Sequence, residues 1–171
     1  VLFQKADRAV KNGQFEQGAL AYLDLVKHYP KEAFADKAVF EAGTAYEKAN
    51  NYDKAAQTFM MIPKNYGSSP LTIKGILRAA MAYKKAGKPE QAAQTFLFIT
   101  NNFEKDSMAF AAIGFAAATY DSIPNKKMAA QTYEIAYKKY HDHEKTPGML
   151  YSACLTYDEA KLPEEAIRCS K

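Results

Sequence analysis

Ala55-Ala56-Gln57-Thr58-Phe59 returns as Ala92-Ala93-Gln94-Thr95-Phe96 and again as Ala129-Ala130-Gln131-Thr132-Tyr133, each copy 37 residues after the one before. The same interval carries Tyr46 to Tyr83, Tyr120 and Tyr157, and Ala42 to Ala79, Ala116 and Ala153. A third series, Tyr29, Tyr66, Phe103 and Tyr140, keeps it too. Register held through successive copies without an insertion marks a repeat array, in which each unit cannot bury its apolar face alone and must stack on its neighbours.

Within one copy, apolar and small residues recur at helical spacing, first over Val39, Ala42, Gly43 and Tyr46, then over Ala55, Ala56, Phe59 and Ile62. A turn signal separates the two halves every time: Asn12-Gly13, Asn50-Asn51, Gly87-Lys88-Pro89, Pro124-Asn125 and Lys161-Leu162-Pro163. Each repeat therefore reads as a helix, a tight turn and a second helix. Ser69 before Pro70, Asp106 before Ser107 and Thr146 before Pro147 are expected to place capping side chains near first turns. No stretch alternates with period two over strand length, so no sheet is expected. Two antiparallel helices approach to about 8–10 Å when the contact residues are small, which Ala55, Ala56 and their copies supply. The fold class predicted is all-α: a right-handed α-solenoid of about five antiparallel helix hairpins, with repeats at about 1–30, 31–67, 68–104, 105–141 and 142–171.

The chain resembles the tetratricopeptide repeat family. The resemblance rests on a small residue followed by Tyr in the first helix (Gly43 and Tyr46, Ala80 and Tyr83, Ala117 and Tyr120) and on an early Ala in the second (Ala55, Ala92, Ala129, Ala166). An aromatic follows four residues after that Ala in three copies, and Pro30 closes the first repeat. It spans residues 1–171 as one solenoid domain. The family's usual period is three residues shorter, and its early Trp is missing. The longer period with Tyr29-Pro30 looks like the bacterial envelope branch, which includes the periplasmic coordinator of the Tol-Pal system and the repeat lipoprotein of the outer-membrane β-barrel assembly machine. Resemblance alone therefore favours the periplasm or cell envelope. It implies a non-enzymatic scaffold that binds a protein or peptide partner in a groove. The alternative is a structural or regulatory module of a larger protein whose catalytic domain lies elsewhere.

In this family first-helix residues that do not contact the second helix line the inner face. The 37-residue interval sorts them into rows: Phe3, Phe40, Leu77, Gly114 and Tyr151; Asp7, Thr44, Met81, Ala118 and Leu155; Lys37, Lys74, Ala111 and Gly148. The first row is apolar nearly throughout, which predicts that something covers it. From Met108 to Ala118 the sequence is apolar around the whole helix, so Ala111, Gly114 and Ala118 are expected to form a small-residue floor. A helix or extended peptide could approach such a floor closely. Family members that bind chaperone C-terminal peptides hold the terminal carboxylate with Lys and Asn on this face. Phe40, Leu77 and Tyr151 stand in the Lys row here, and Thr44, Met81 and Leu155 in the Asn row, so that clamp is absent.

Twenty-three Lys and Arg against 19 Asp and Glu give +4, and only three of the cations, Arg8, Arg78 and Arg168, are arginines. That field is too weak to hold a polyanion, and nucleic acid is not an expected partner. The longest apolar run has 11 residues, where a membrane span needs about 20. There is no Ser/His/Asp order, glycine-rich phosphate loop or zinc-protease helix motif, so neither an enzyme nor a cofactor is expected. His141-Asp142-His143-Glu144 has ligand types for a divalent metal but reads as a solvated loop. Cys154 and Cys169 stand about equally far from the Lys161-Leu162 turn. They are expected as buried free thiols, with a disulfide as the alternative in an oxidising compartment. Pro63, where the other copies hold Val26, Thr100 and Tyr137, should kink or stop its helix. The terminal copies lack polar caps, which predicts a piece of a longer array or another element covering its ends.

Overall fold

The computed structural model describes residues 3–169, and every regular element among them is helical. They fall into two compact units, one ending at Lys88 and the other beginning at Pro89. The first holds α1 (Gln4–Lys11), α2 (Phe15–His28), α3 (Ala35–Lys48), α4 (Tyr52–Phe59), α5 (Met61–Asn65) and α6 (Thr72–Lys85). The second holds α7 (Pro89–Asn102), α8 (Ala109–Asp121), α9 (Lys126–Lys139), α10 (Thr146–Glu159) and α11 (Pro163–Cys169).

In the first unit α1 packs on α2, α2 on α3, α3 on α4 and α4 on α6. The core runs through Ala38, Val39, Phe40, Ala55, Ala56, Phe59 and Ile62 to Ala79 and Ala82. In the second unit α7 packs on α8, α8 on α9, α9 on α10 and α10 on α11. The repeated alanines are the contact surfaces: Ala55, Ala56, Ala92, Ala93, Ala129 and Ala130 are all fully buried. Gly43 lets the first and second helices approach closely, since a Cβ built there would stand 2.6 Å from the Phe59 ring.

Four of the five intra-repeat turns close the same way. Gly13, Asn50, Gly87 and Lys161 have φ between 57° and 77°. The amide of the following residue reaches back to a carbonyl five residues earlier, as in Asn51 to Tyr46 and Leu162 to Tyr157. This is the left-handed helix ending that favours Gly or Asn. The fourth turn cannot use it, because Pro124 holds the equivalent position and its ring fixes φ negative. There the Asn125 amide bonds the Ile123 carbonyl at 2.6 Å instead.

The connections between repeats explain the long period. Glu32, Ser69, Asp106 and His143 each donate a backbone amide to the residue three before (Tyr29, Tyr66, Phe103, Tyr140) and accept one from the residue three after. Two successive three-residue turns thus stand before each first helix. In three of the four, the side chain at that position also accepts an amide two residues on: Ser69 from Leu71 at 3.0 Å, Asp106 from Met108 at 2.8 Å and His143 from Lys145 at 3.2 Å. Thr146 corrects the expectation of a capping acceptor: it is buried inside the first turn of α10, and its hydroxyl donates back to the Tyr140 carbonyl. Thr72 does the same to Tyr66 at 3.1 Å.

Pro63 acts as expected. Its ring removes one donor and crowds the carbonyl four residues back, which belongs to Phe59, the last residue of α4. The helix breaks at Met60, and α5 resumes the course for five residues.

Candidate functional site

The first-helix rows come out unevenly. In the first unit Phe40 is 9% exposed and its ring packs on Phe59 of the second helix, centroids 5.3 Å apart. It therefore departs from a wall free of second-helix contact. Its cover comes from α6: Lys74 Nζ stands 4.9 Å above the ring and the Arg78 guanidinium 5.9 Å from it, and Arg78 also pairs with Glu47 of α3. Phe3 is half-buried, against Tyr22 and Phe34. Thr44 turns its hydroxyl to the Phe40 carbonyl at 3.0 Å. Lys37 and Lys74 keep to the surface, Leu77 is half-buried, and Met81 is 55% exposed in a depression beside Glu47, Arg78 and Lys84. The Glu47–Arg78 clamp was not foreseen; its only sequence trace is that Arg78 is one of three arginines.

In the second unit Ala111 and Gly114 are half-buried and Ala118 is exposed, while Phe115 beside them remains 47% exposed. A Cβ on Gly114 would meet nothing nearer than the end of Met149, at 3.1 Å. Tyr151 and Leu155 are 67% and 47% exposed. They line a depression of about 590 Å³ with Pro147, Leu150, Asp158 and Ala166, which does not include Ala111, Gly114 or Ala118.

Its floor is a disulfide between Cys154 and Cys169, Cα atoms 5.4 Å apart, in place of the free thiols expected. The equal distance of the two from their turn brings them face to face. The bond ties α11, which buries no residue of its own, to α10.

Behind this face the mostly buried Glu134 carboxylate gathers Tyr157 at 2.7 Å, Lys138 at 2.6 Å and Arg168 at 3.1 Å. Burial pushes the carboxyl upward, but the hydrogen bonds from Lys138 and Tyr157 and the Lys138 and Arg168 charges outweigh it and hold Glu134 below its usual range. Burial and the bond to Glu134 push the Tyr157 phenol up to about 12.

In the His141–Glu144 loop, His141 pairs with Asp142 at 3.2 Å and His143 stacks on Phe110 with centroids 3.7 Å apart. Among the described residues no cluster of three or more His, Cys, Asp or Glu is close enough to hold a metal, and no helix is long and apolar enough to cross a membrane.

Comparison with known proteins agrees with the fold. Residues 3–70 match a family model described as the tetratricopeptide repeat, and residues 75–98 match a second model of the same description. The chain thus carries tetratricopeptide repeats, the units of protein-interaction modules. Among solved structures it is similar to the MamA protein, at 16% identity and a TM-score of 0.57 over 98% of this chain and 85% of that one. A likeness to a putative kinesin light chain with nearly identical TPR-like repeats from Podosopora anserina has 15% identity and a TM-score of 0.54, covering 99% and 93%. BtubC (BKLC) from P. vanneervenii gives 17% and 0.54, covering 96% and 73%. At such identities the shared property is the all-helical repeat fold. No curated protein sequence matches this chain.

Proposed function

We propose that this chain is a non-enzymatic interaction scaffold that binds a peptide or helix along its first-helix face, within a bacterial cell-envelope complex. Each unit presents its own face: Lys37, Thr44, Lys74, Leu77 and Met81 in the first, with the already filled Phe3 and Phe40 beneath, and, taken by itself, Ala111, Gly114, Ala118, Tyr151 and Leu155 in the second. Five repeats make up the domain. The carrying observation is the exposure of Phe115, Tyr151 and Leu155 at 47%, 67% and 47% on first helices that also present Gly114 and Ala118. Tyr151 and Leu155 share one depression, and large apolar side chains left together in water mark an interaction surface. For the envelope, the support is the long period, Tyr29-Pro30 and a disulfide that suits an oxidising compartment.

The test is selection of a displayed peptide library on the protein, followed by Gly114→Glu. A Cβ at Gly114 would meet only the flexible end of Met149, at 3.1 Å, which can shift, so helicity by circular dichroism is expected to stay intact while the selected peptides lose binding. Absence of enrichment, or binding that ignores the substitution, would refute the reading.

A further inference from the structure

We propose that the face of α6 in the first unit docks a segment of a partner protein in which an apolar side chain stands between carboxylates. The apolar side chain fills the depression over Met81, and the carboxylates meet Lys84 and Lys85. The inference rests on the scaffold reading and gives its partner a chemistry.

The charge pattern of the chain supplies the sign. From Lys54 to Pro89 stand seven cations, Lys54, Lys64, Lys74, Arg78, Lys84, Lys85 and Lys88, and neither an Asp nor a Glu. Three of them are answered by carboxylates from elsewhere in the first unit: Lys54 by Glu16 at 3.9 Å, Lys88 by Asp53 at 2.7 Å, and Arg78 by Glu47. Lys64, Lys74, Lys84 and Lys85 have no ion pair among the described residues. Lys74 and Lys85 instead lie over rings, those of Phe40 at 4.9 Å and Tyr52 at 5.4 Å. A ring face balances only part of a cation's charge, so this face keeps a positive surplus that an acidic segment would match.

Met81, Lys84 and Lys85 share one side of α6, because residues three and four apart on a helix are neighbours. With Glu47 and Arg78 they line a depression of about 460 Å³. Its one carboxylate, the mostly buried Glu47, is already taken by Arg78. Met81 is 55% exposed, and an unbranched thioether adapts to the apolar side chain that meets it. The aliphatic stems of the two lysines add apolar surface and carry their charges to the rim. An apolar residue alone would leave the ammoniums unmatched, and a phosphate backbone would leave Met81 in water. An apolar residue with acidic neighbours satisfies both. Helices precede and follow α6 in the chain, and Met81 is exposed with all of them present.

Selection of the displayed peptide library on the whole chain is expected to enrich peptides in which Asp or Glu flanks a Leu, Ile, Met or Phe. The enriched peptides, synthesised with a C-terminal amide and a fluorescent label, are then followed by fluorescence anisotropy. Saturable binding is expected, weakened on the order of tenfold by Met81→Ser or by Lys84→Glu and weakened further as salt is raised. Peptides whose acids are replaced by Lys should lose affinity for the wild-type chain and regain it for the variant carrying Lys84→Glu and Lys85→Glu. All three positions are exposed, so circular dichroism should be unchanged. Enriched peptides with no acidic excess, binding indifferent to these substitutions or to salt, or no charge-swap rescue each overturns the inference while leaving the scaffold reading in place. So does a single-stranded oligonucleotide that competes as strongly as the unlabelled peptide, which would make a nucleic acid the occupant. Self-association of the chain in sedimentation that Lys84→Glu disperses also overturns it, in favour of a second copy. If no peptide is enriched at all, the scaffold reading falls with it.

Discussion

The Tyr157 hydroxyl donates to Glu134 Oε2 at 2.7 Å, fastening α10 to α9 through a carboxylate that also takes Lys138 and Arg168. Because Glu134 titrates below its ordinary value of about 4.3, its stabilising effect is complete above that value. It is lost as pH falls through the lower folded value. Glu134→Gln is expected to cost about 1–3 kcal/mol at neutral pH and to flatten the acid limb of stability. Urea midpoints between pH 7 and pH 3 check this, and an unchanged acid limb would remove Glu134 from the account. At the other extreme Tyr157, held protonated to about 12, contributes stability that is full below about 10 and fades as pH rises through 12.

Two glycines on first helices should respond to alanine with opposite sign. At Gly43 a Cβ would sit 2.6–2.8 Å from the ring atoms of fully buried Phe59. Overpacking there is expected to cost about 1–3 kcal/mol, outweighing the gain in helix propensity. At Gly114 only the flexible end of Met149 is near, so Gly114→Ala should stabilise by up to about 1 kcal/mol. Thermal unfolding of the two variants side by side decides.

Alkylation of the denatured, unreduced protein should label neither cysteine. Reduction, or Cys154→Ser, is expected to destabilise by up to about 3 kcal/mol for a separation of 15 residues. The loss should be local: the Ala166 amide, bonded to the Leu162 carbonyl at 3.0 Å, would exchange faster, while amides of α2 and α3 would not.

Thr72→Ala should cost no more than about 1 kcal/mol. The buried hydroxyl bonds the Tyr66 carbonyl, yet Ala35 and Ala109 hold the same register position, and both begin first helices after the same paired turns. A loss of several kcal/mol in a denaturant titration would show that the hydroxyl, rather than the main chain, fixes the junction.

Helix pairing was legible because the alanine series and the tyrosine series repeat at one interval and each needs a close neighbour. The break at Met60 was legible from Pro63, whose ring acts on a known carbonyl. What covers Phe40 was not. Lys74 read as an inner-face residue and Arg78 only as one of three arginines, and only the packing of α6 on α4 reveals that their charges lie over rings. Residue type alone likewise left Cys154 and Cys169 open, because burial and bonding are both natural for cysteine; the facing of α10 and α11 decides it. Thr146 was misread for a related reason: a threonine beside a proline has the composition of a cap, while the direction of its hydroxyl depends on a carbonyl six residues earlier.

The paired turns before each first helix are written almost wholly in main-chain hydrogen bonds, with Glu, Ser, Asp and His taking the central place in turn. A joint of that kind has no lock-and-key chemistry to preserve when it is copied. Lengthening such a chain by tandem duplication would carry each new joint along ready-made, and the faces it presents would be free to diverge while the spacing stayed fixed.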